Sequence, residues 1–84
     1  MKLYLLSQTV VRGYDTYDSC VVVAEDAIAA VSMHPHDGSP LTDYAKYDFA
    51  DWPTDTINIT CKYLGEAHHS FTEPAVICSS FNAG

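Results

Sequence analysis

The hydrophobic pattern of the chain predicts two strands near its start. Residues 3–11 are rich in Leu, Tyr, Thr and Val, and residues 19–25 form a nearly continuous apolar run. Both compositions favour β-strands. Gly13, Asp15 and Asp18 lie between the two runs and are residue types that favour turns. We therefore expect an antiparallel hairpin whose second strand is interior, because both faces of that strand are apolar.

A short helix is predicted after the second strand. In the segment AEDAIAAVSMHP, Asp26 can cap a first turn, the alanines favour helix, and Pro35 ends it. Ile28 and Val31 lie at helical spacing, so we expect them to face the sheet. Residues 34–56 follow with three prolines and many polar residues, which predicts a long loop of the kind that is often functional.

Two more strands are predicted in the last third of the chain. The segment INITCKYLG alternates, with Ile57, Ile59, Cys61 and Tyr63 on one side, and alternation of this kind indicates a half-buried strand. The run AVICSSF predicts a final strand. We expect these last two strands to form a second hairpin.

The element order ββαββ predicts an α+β fold in a single domain, residues 1–84. The expected architecture is a small, mostly antiparallel four-stranded sheet. One helix packs on a face of this sheet, and the long loop joins that helix to the third strand. A core of this size leaves a small margin of stability, so we also expect a homo-oligomer.

Charge excludes one class of partner. The formal net charge is −7, because eleven Asp and Glu residues stand against only four Lys and Arg. Nucleic-acid binding depends on a basic patch, which four scattered cations do not form. A protein that mimics DNA with its carboxylates is an alternative that the moderate acidic density does not favour. Without a membrane-spanning run or a signal-peptide pattern, we expect a cytoplasmic protein.

The residues that could carry catalysis or bind a metal form no recognisable motif. The odd number of cysteines argues against a disulfide framework, and their predicted strand positions favour buried free thiols: Cys20, Cys61 and Cys78. The four histidines lack the close ligand spacing of zinc sites: His34, His36, His68 and His69. No nucleophile elbow or phosphate-binding loop is present. We expect no cofactor, no metal and no enzymatic activity; a small metal-dependent hydrolase is the least favoured alternative.

Aromatic residues and the only arginine are concentrated in the first predicted turn and the long loop. The candidate binding residues are Arg12, Tyr14, Asp15, Tyr17 and Asp18 in the turn, and Tyr44, Tyr47 and Trp52 in the loop. Tyr, Trp and Arg are the anchor residues of protein interfaces. The same set suits a nucleotide, with rings stacked on the base and arginine on a phosphate. A third interpretation is that several of these rings cover the core.

Several segments spread over most of the chain carry a family resemblance: MKLYLLSQ, GYDTYDS, VVVAEDA, YLGEA and SFNAG. Together they resemble a group of small proteins encoded by bacteriophages and prophages. The resemblance implies an accessory factor of the host cell cytoplasm that binds and disables a host component, including components of defence systems. The predicted function is a phage-derived interaction protein that inhibits a host defence protein by binding its surface. The alternative is an oligomeric protein that sequesters a nucleotide signal.

Overall fold

Four antiparallel strands form one sheet in the computed structural model, which describes residues 1–44 and 51–83. The strands are β1 (Lys2–Ser7), β2 (Thr16–Ala24), β3 (Thr60–Glu66) and β4 (Ala75–Asn82). One short helix, α1 (Ala27–Val31), follows β2, and single 3₁₀ turns form at Leu41–Asp43 and Thr56–Asn58. The predicted α+β fold with one four-stranded antiparallel sheet and one short helix is confirmed.

The spatial order of the strands is β3-β1-β2-β4. The first hairpin is confirmed, with Leu5 opposite Val21 in the β1–β2 register, and β2 is interior as predicted. The prediction of a second hairpin is wrong. β3 pairs with β1, and β4 pairs with β2, so the last two strands lie at opposite edges of the sheet. The physical reason is that β1 and β2 are apolar on both faces and are best buried in the middle, which leaves the more polar strands the edges.

The core lies on the sheet face that α1 covers. Because side chains alternate along a strand, Tyr4 and Leu6 of β1 point to the same face as Val22 of β2. The other buried residues of this cluster come from β2, from α1 and from the segment between α1 and β3: Tyr17, Cys20, Ala24, Ala30, Met33, Leu41, Trp52 and Ile59. The long excursion after α1 therefore contributes to the core through the residues that begin and end it.

Helix α1 begins as predicted but buries a different residue. The Asp26 carboxylate accepts a hydrogen bond from the backbone N–H of Ala29 at 2.8 Å, which caps the first turn. Ala30 is buried against the sheet, whereas Ile28 is 82% exposed, so the prediction that Ile28 faces the sheet is wrong. Two residues along a helix are a rotation of about 200°, and with Ala30 inward Ile28 must point away.

A β-bulge brings Tyr17 into the core. The register between β2 and β4 shifts between Tyr17 and Ser19, so one extra residue, Asp18, is accommodated in β2. An extra residue reverses the side-chain alternation beyond it. Tyr17 therefore lies on the same face as Cys20 and is buried, where its ring packs on Phe81 with 4.7 Å between centroids.

The predicted alternation before β3 is only partly correct. The backbone forms a 3₁₀ turn at Thr56–Asn58, with the Asp55 carboxylate accepting from the Ile57 N–H at 3.1 Å. Ile57 is consequently 83% exposed, whereas Ile59 is 7% exposed and belongs to the core. The strand itself begins at Thr60. The alternation predicted that both isoleucines face the same side of one strand, because sequence spacing does not reveal the turn that precedes β3.

These two isoleucines give a matched test of the packing. We expect Ile59→Ala to reduce the free energy of unfolding by about 2–4 kcal/mol, because it removes buried methyl groups and leaves a cavity. Ile57→Ala should change it by less than about 0.5 kcal/mol. Urea denaturation followed by circular dichroism measures both, and equal losses would contradict the observed register.

Candidate functional site

The side chain of Gln8, at the end of β1, organises the loop that follows it. Gln8 is buried, and its amide oxygen accepts from the backbone N–H groups of Val10 and Val11 at 2.8 and 2.7 Å. Its amide nitrogen donates to the carbonyls of Val11 and Tyr17 at 2.7 and 2.8 Å. These four bonds use both donors and both lone pairs of the amide. Gln8 therefore fixes the loop of residues 9–15, here named the tip loop.

Further hydrogen bonds hold the rest of the tip loop. The Arg12 Nε donates to the carbonyl of Thr9, and the Thr16 hydroxyl donates to the carbonyl of Gly13, at 2.7 and 2.8 Å. Gly13 and Asp15 have positive φ angles of 105° and 58°, and these left-handed conformations favour Gly and Asp. The prediction that these two residues favour a turn therefore agrees with their observed backbone conformations.

The tip loop is also attached to the end of β4. The backbone N–H of Asp15 donates to the carbonyl of Asn82. The side-chain amide of Asn82 donates to the Asp18 carboxylate at 2.8 Å. Asp18 is the extra residue of the bulge, so this bond links the bulge to the neighbouring strand. The loop is thus held both by its own strand and by the edge strand beside it.

The tip loop presents a small set of side chains to solvent. Tyr14 is 74% exposed and Val10 is 61% exposed. Arg12 is also exposed, with its Nε engaged inside the loop. Of these side chains, the tyrosine ring and the guanidinium belong to the residue types that are enriched among the energetically dominant contacts of protein interfaces.

The structure brings together only some of the predicted binding residues. Arg12, Tyr14 and Asp15 are exposed in the tip loop as expected, and Asp18 is exposed at the bulge in β2. Tyr17 and Trp52 are buried, Trp52 to 1% exposure, so the expectation that they contribute rings to an exposed surface is corrected. For these two rings the core interpretation holds, because a small domain needs large side chains to fill its interior. Tyr47 lies outside the described residues.

Tyr44 is half-buried and belongs to a different group of residues. Its ring stacks on the imidazole of His34 with 3.6 Å between centroids. Its hydroxyl donates to the Asp37 carboxylate at 3.1 Å. The pKa of Asp37 is lowered from its ordinary value, chiefly by hydrogen bonds from the backbone N–H and the hydroxyl of Ser39. Tyr44 therefore supports the beginning of the long loop.

His34 is the centre of this group, and sequence reasoning missed its burial. It is 1% exposed, and its Nε2 lies 2.8 Å from Asp51 Oδ1. Its Nδ1 accepts the backbone N–H of His36 at 3.0 Å. Nδ1 is thus unprotonated, and Nε2 carries the proton that it donates to Asp51. The pattern HPH offered no signal for this, because the partner carboxylate lies 17 residues away.

The hydrogen bonds of His34 link the beginning of the long loop to Asp51. Both ring nitrogens have partners within the protein, and the ring is buried. The hydroxyl of Tyr17 lies 3.2 Å from Nδ1 of His36, and burial together with Asp51 and Asp37 raises the pKa of Tyr17. No group of three or more His, Cys, Asp or Glu side chains suited to a metal occurs within residues 1–44 and 51–83.

Comparison with known proteins identifies no relative. No protein-family model, curated protein or solved structure matches the chain. Within the part of the chain that the structure describes, no helix is long and apolar enough to cross a membrane.

The three cysteines occupy different environments. Cys20 is buried, Cys61 is half-buried and Cys78 is exposed, so the expectation of three buried thiols is corrected for Cys78. Burial, with a smaller contribution from Cys78, raises the pKa of Cys20 to about 12. Burial also raises the pKa of Cys61. Cys78 is exposed because it lies opposite Val21 on the sheet face away from α1 and in an edge strand, a placement that the sequence could not reveal.

We expect these thiols to react in order of their exposure. At pH 8 a thiol-specific reagent should label Cys78 first, Cys61 more slowly, and Cys20 only when the protein unfolds, because the reactive thiolate of Cys20 is scarce and inaccessible. Time-resolved labelling followed by peptide mass spectrometry measures the order. Cys78→Ser is the control that should remove the fast phase, and fast labelling of Cys20 would contradict its placement in the core.

Proposed function

We propose that the protein is a non-enzymatic interaction protein that binds a protein partner through the tip loop. The main support for this proposal is that the side-chain amide of Gln8 makes four hydrogen bonds that hold the loop in place. The loop so held exposes Val10, Arg12 and Tyr14.

The energetics of binding favour such a loop. Ordering a flexible loop at an interface costs free energy, and a loop fixed before binding avoids much of that cost. Tyr and Arg are the residue types that most often contribute the largest share of binding energy at interfaces. Tyrosine in particular offers a large contact area with few rotatable bonds. The tip loop combines these properties in seven residues, 9–15.

The partner class that we propose is a host protein of a bacterial defence system. This part of the proposal rests on the resemblance to phage-encoded accessory proteins, and it places the protein in the host cytoplasm. The net charge of −7 supports a partner with a basic surface, because complementary charge speeds encounter. The exposed carboxylates of Asp15 and Asp18, next to the tip loop's apolar residues, would face that surface.

The nucleotide-sequestering alternative loses support from the burial of Tyr17 and Trp52. These rings were expected to stack on a base, and both belong to the core. A shallow depression of about 180 Å³ lies on the sheet face away from α1 and is lined by Leu5, Val21, Cys78 and neighbouring serines. No Lys or Arg lines it, so it lacks a charged group that would pair with a phosphate.

The proposal predicts that Tyr14→Ala abolishes function without unfolding the protein. Its expected cost is more than about 1–2 kcal/mol of binding free energy, or roughly a 5- to 30-fold loss of affinity. The melting temperature should stay nearly unchanged, because the ring is exposed. Ile28→Ala is the matched control, since it removes an equally exposed apolar side chain from the helix.

Two measurements check this prediction. Phage plating efficiency is measured on bacterial strains that each carry one defence system and express the wild-type chain, Tyr14→Ala or Ile28→Ala. The wild type and the control should raise plating on one of these strains, and Tyr14→Ala should not. The affinity of the three purified chains for the corresponding defence protein is then compared. Equal affinity of Tyr14→Ala and wild type would overturn the assignment to the tip loop.

The role of Gln8 gives a separate prediction. In Gln8→Glu a carboxylate oxygen replaces the donor to the carbonyls of Val11 and Tyr17, and a charge is buried. We expect the free energy of unfolding to fall by about 1–3 kcal/mol. Amide hydrogen exchange at Val10 and Val11 should also become faster. Thr9→Glu adds the same charge at the adjacent exposed position and should leave both quantities unchanged. The carboxylate can still accept from Val10 and Val11, so unaltered stability and exchange in Gln8→Glu would show that the two bonds donated by Gln8 do not hold the loop.

A further inference from the structure

We propose that β4 is a self-association edge, where two copies of the chain pair antiparallel and join their sheets into one. The proposal concerns a different surface from the tip loop and does not rest on the proposed function. It specifies where the homo-oligomer expected from the small size of the chain would form.

The outer side of β4 has the properties of an open template. β4 is an edge strand whose strand partner is β2. Alternate N–H and C=O groups of an edge strand point away from the sheet and are available to another strand. Residues 77–81 are all exposed. Within the described residues, the one hydrogen bond from outside the sheet to the β4 backbone is that from Asp15 N–H to the carbonyl of Asn82, at the strand's end.

The opposite edge of the sheet carries more features that prevent strand addition than β4 does. β3 carries two charged residues, Lys62 and Glu66, and its pairing with β1 has a register irregularity beside Gly65. Charges and bulges on edge strands are features that prevent strand addition. β4 has the sequence AVICSSFN, with no charged residue and no proline. Its pairing with β2 shifts between Val21 and Val22, where Ile77 is the extra residue, so Cys78–Asn82 is the stretch best able to pair.

The occupant that fits this edge is a second copy of the chain. In a two-fold dimer the same strand of each copy forms the interface, so β4 would contact β4. An uncharged strand can pair with its own copy without placing like charges opposite each other. A chain of net charge −7 repels its copy over most of its surface, and β4 itself carries no carboxylate that would add to this repulsion. The exposed apolar side chains of Ile77 and Phe81 add burial at the junction.

The main test compares one added lysine on each edge. Ser79→Lys places a charge within the β4 pairing segment, one residue from its centre, so that the two lysines of a dimer would lie diagonally across the junction. Thr60→Lys places the same charge on the β3 edge and is the matched control. Both changes lower the net negative charge of the chain equally, so a difference between them reports on position. Sedimentation equilibrium and native mass spectrometry, over about 10 to 500 μM protein with reductant present, measure the monomer–dimer equilibrium.

We expect a concentration-dependent dimer for the wild type and Thr60→Lys, and at least a tenfold larger dissociation constant for Ser79→Lys. Higher salt should lower the dissociation constant of the wild type, because it screens the repulsion between two acidic copies. Reductant is required because Cys78 is exposed and a disulfide-linked dimer would imitate the result. A dimer that disappears in reductant or in Cys78→Ser would overturn the proposal.

A second measurement uses the wild-type chain and so does not depend on how a variant folds. Residue-resolved amide exchange is followed at low and high protein concentration. Alternate amides within residues 78–82 should gain protection as concentration rises, while those of β3 should not. The proposal would be overturned by a monomer at every concentration or by open-ended assemblies in place of a dimer. Protection confined to β3, or to the sheet face away from α1, would overturn it as well.

Discussion

The arrangement of the protein depends on the burial of β1 and β2 in the middle of the sheet. Both strands carry apolar side chains on both faces, and a strand of this kind is stable only where other strands and covering elements remove it from water. Their hairpin takes the two interior positions, and β3 and β4 are added on either side. The separation of β3 from β4 and their positions at the two edges follow from this constraint.

The long excursion after α1 is held by contacts at its two ends. At its beginning, His34 is buried under the ring of Tyr44 and bonded to Asp51. At its end, the carbonyl of Asp51 accepts the backbone N–H of Tyr17 at 2.9 Å, and the next residue, Trp52, fills the core. Residues with the chemistry of active sites thus serve as anchors here, because a buried imidazole with both nitrogens bonded satisfies loop groups that would otherwise be unpaired.

The tip loop and the β4 edge meet at Asn82. Its side chain is bonded to Asp18 and its carbonyl accepts from Asp15, so the end of β4 supports the same turn that Gln8 holds from β1. Antiparallel pairing through Cys78–Asn82 would leave the two tip loops beside the junction, pointing in opposite directions along the strands. A dimer of that form would present two binding loops, and linked sites raise the effective affinity for a partner that can reach both.

The sequence alone determined the element types, the first hairpin, the cap at Asp26, the turn residues Gly13 and Asp15 and the interior position of β2, because each depends on local chemistry or on periodicity. It also indicated that the first turn carries exposed Arg12 and Tyr14. Only the tertiary structure decided which rings became core. The bulge at Asp18 turned Tyr17 inward, the turn before β3 exposed Ile57, and the return of the loop buried His34 and Trp52. These outcomes depend on pairing between residues far apart in the chain, and no local pattern encodes such pairing.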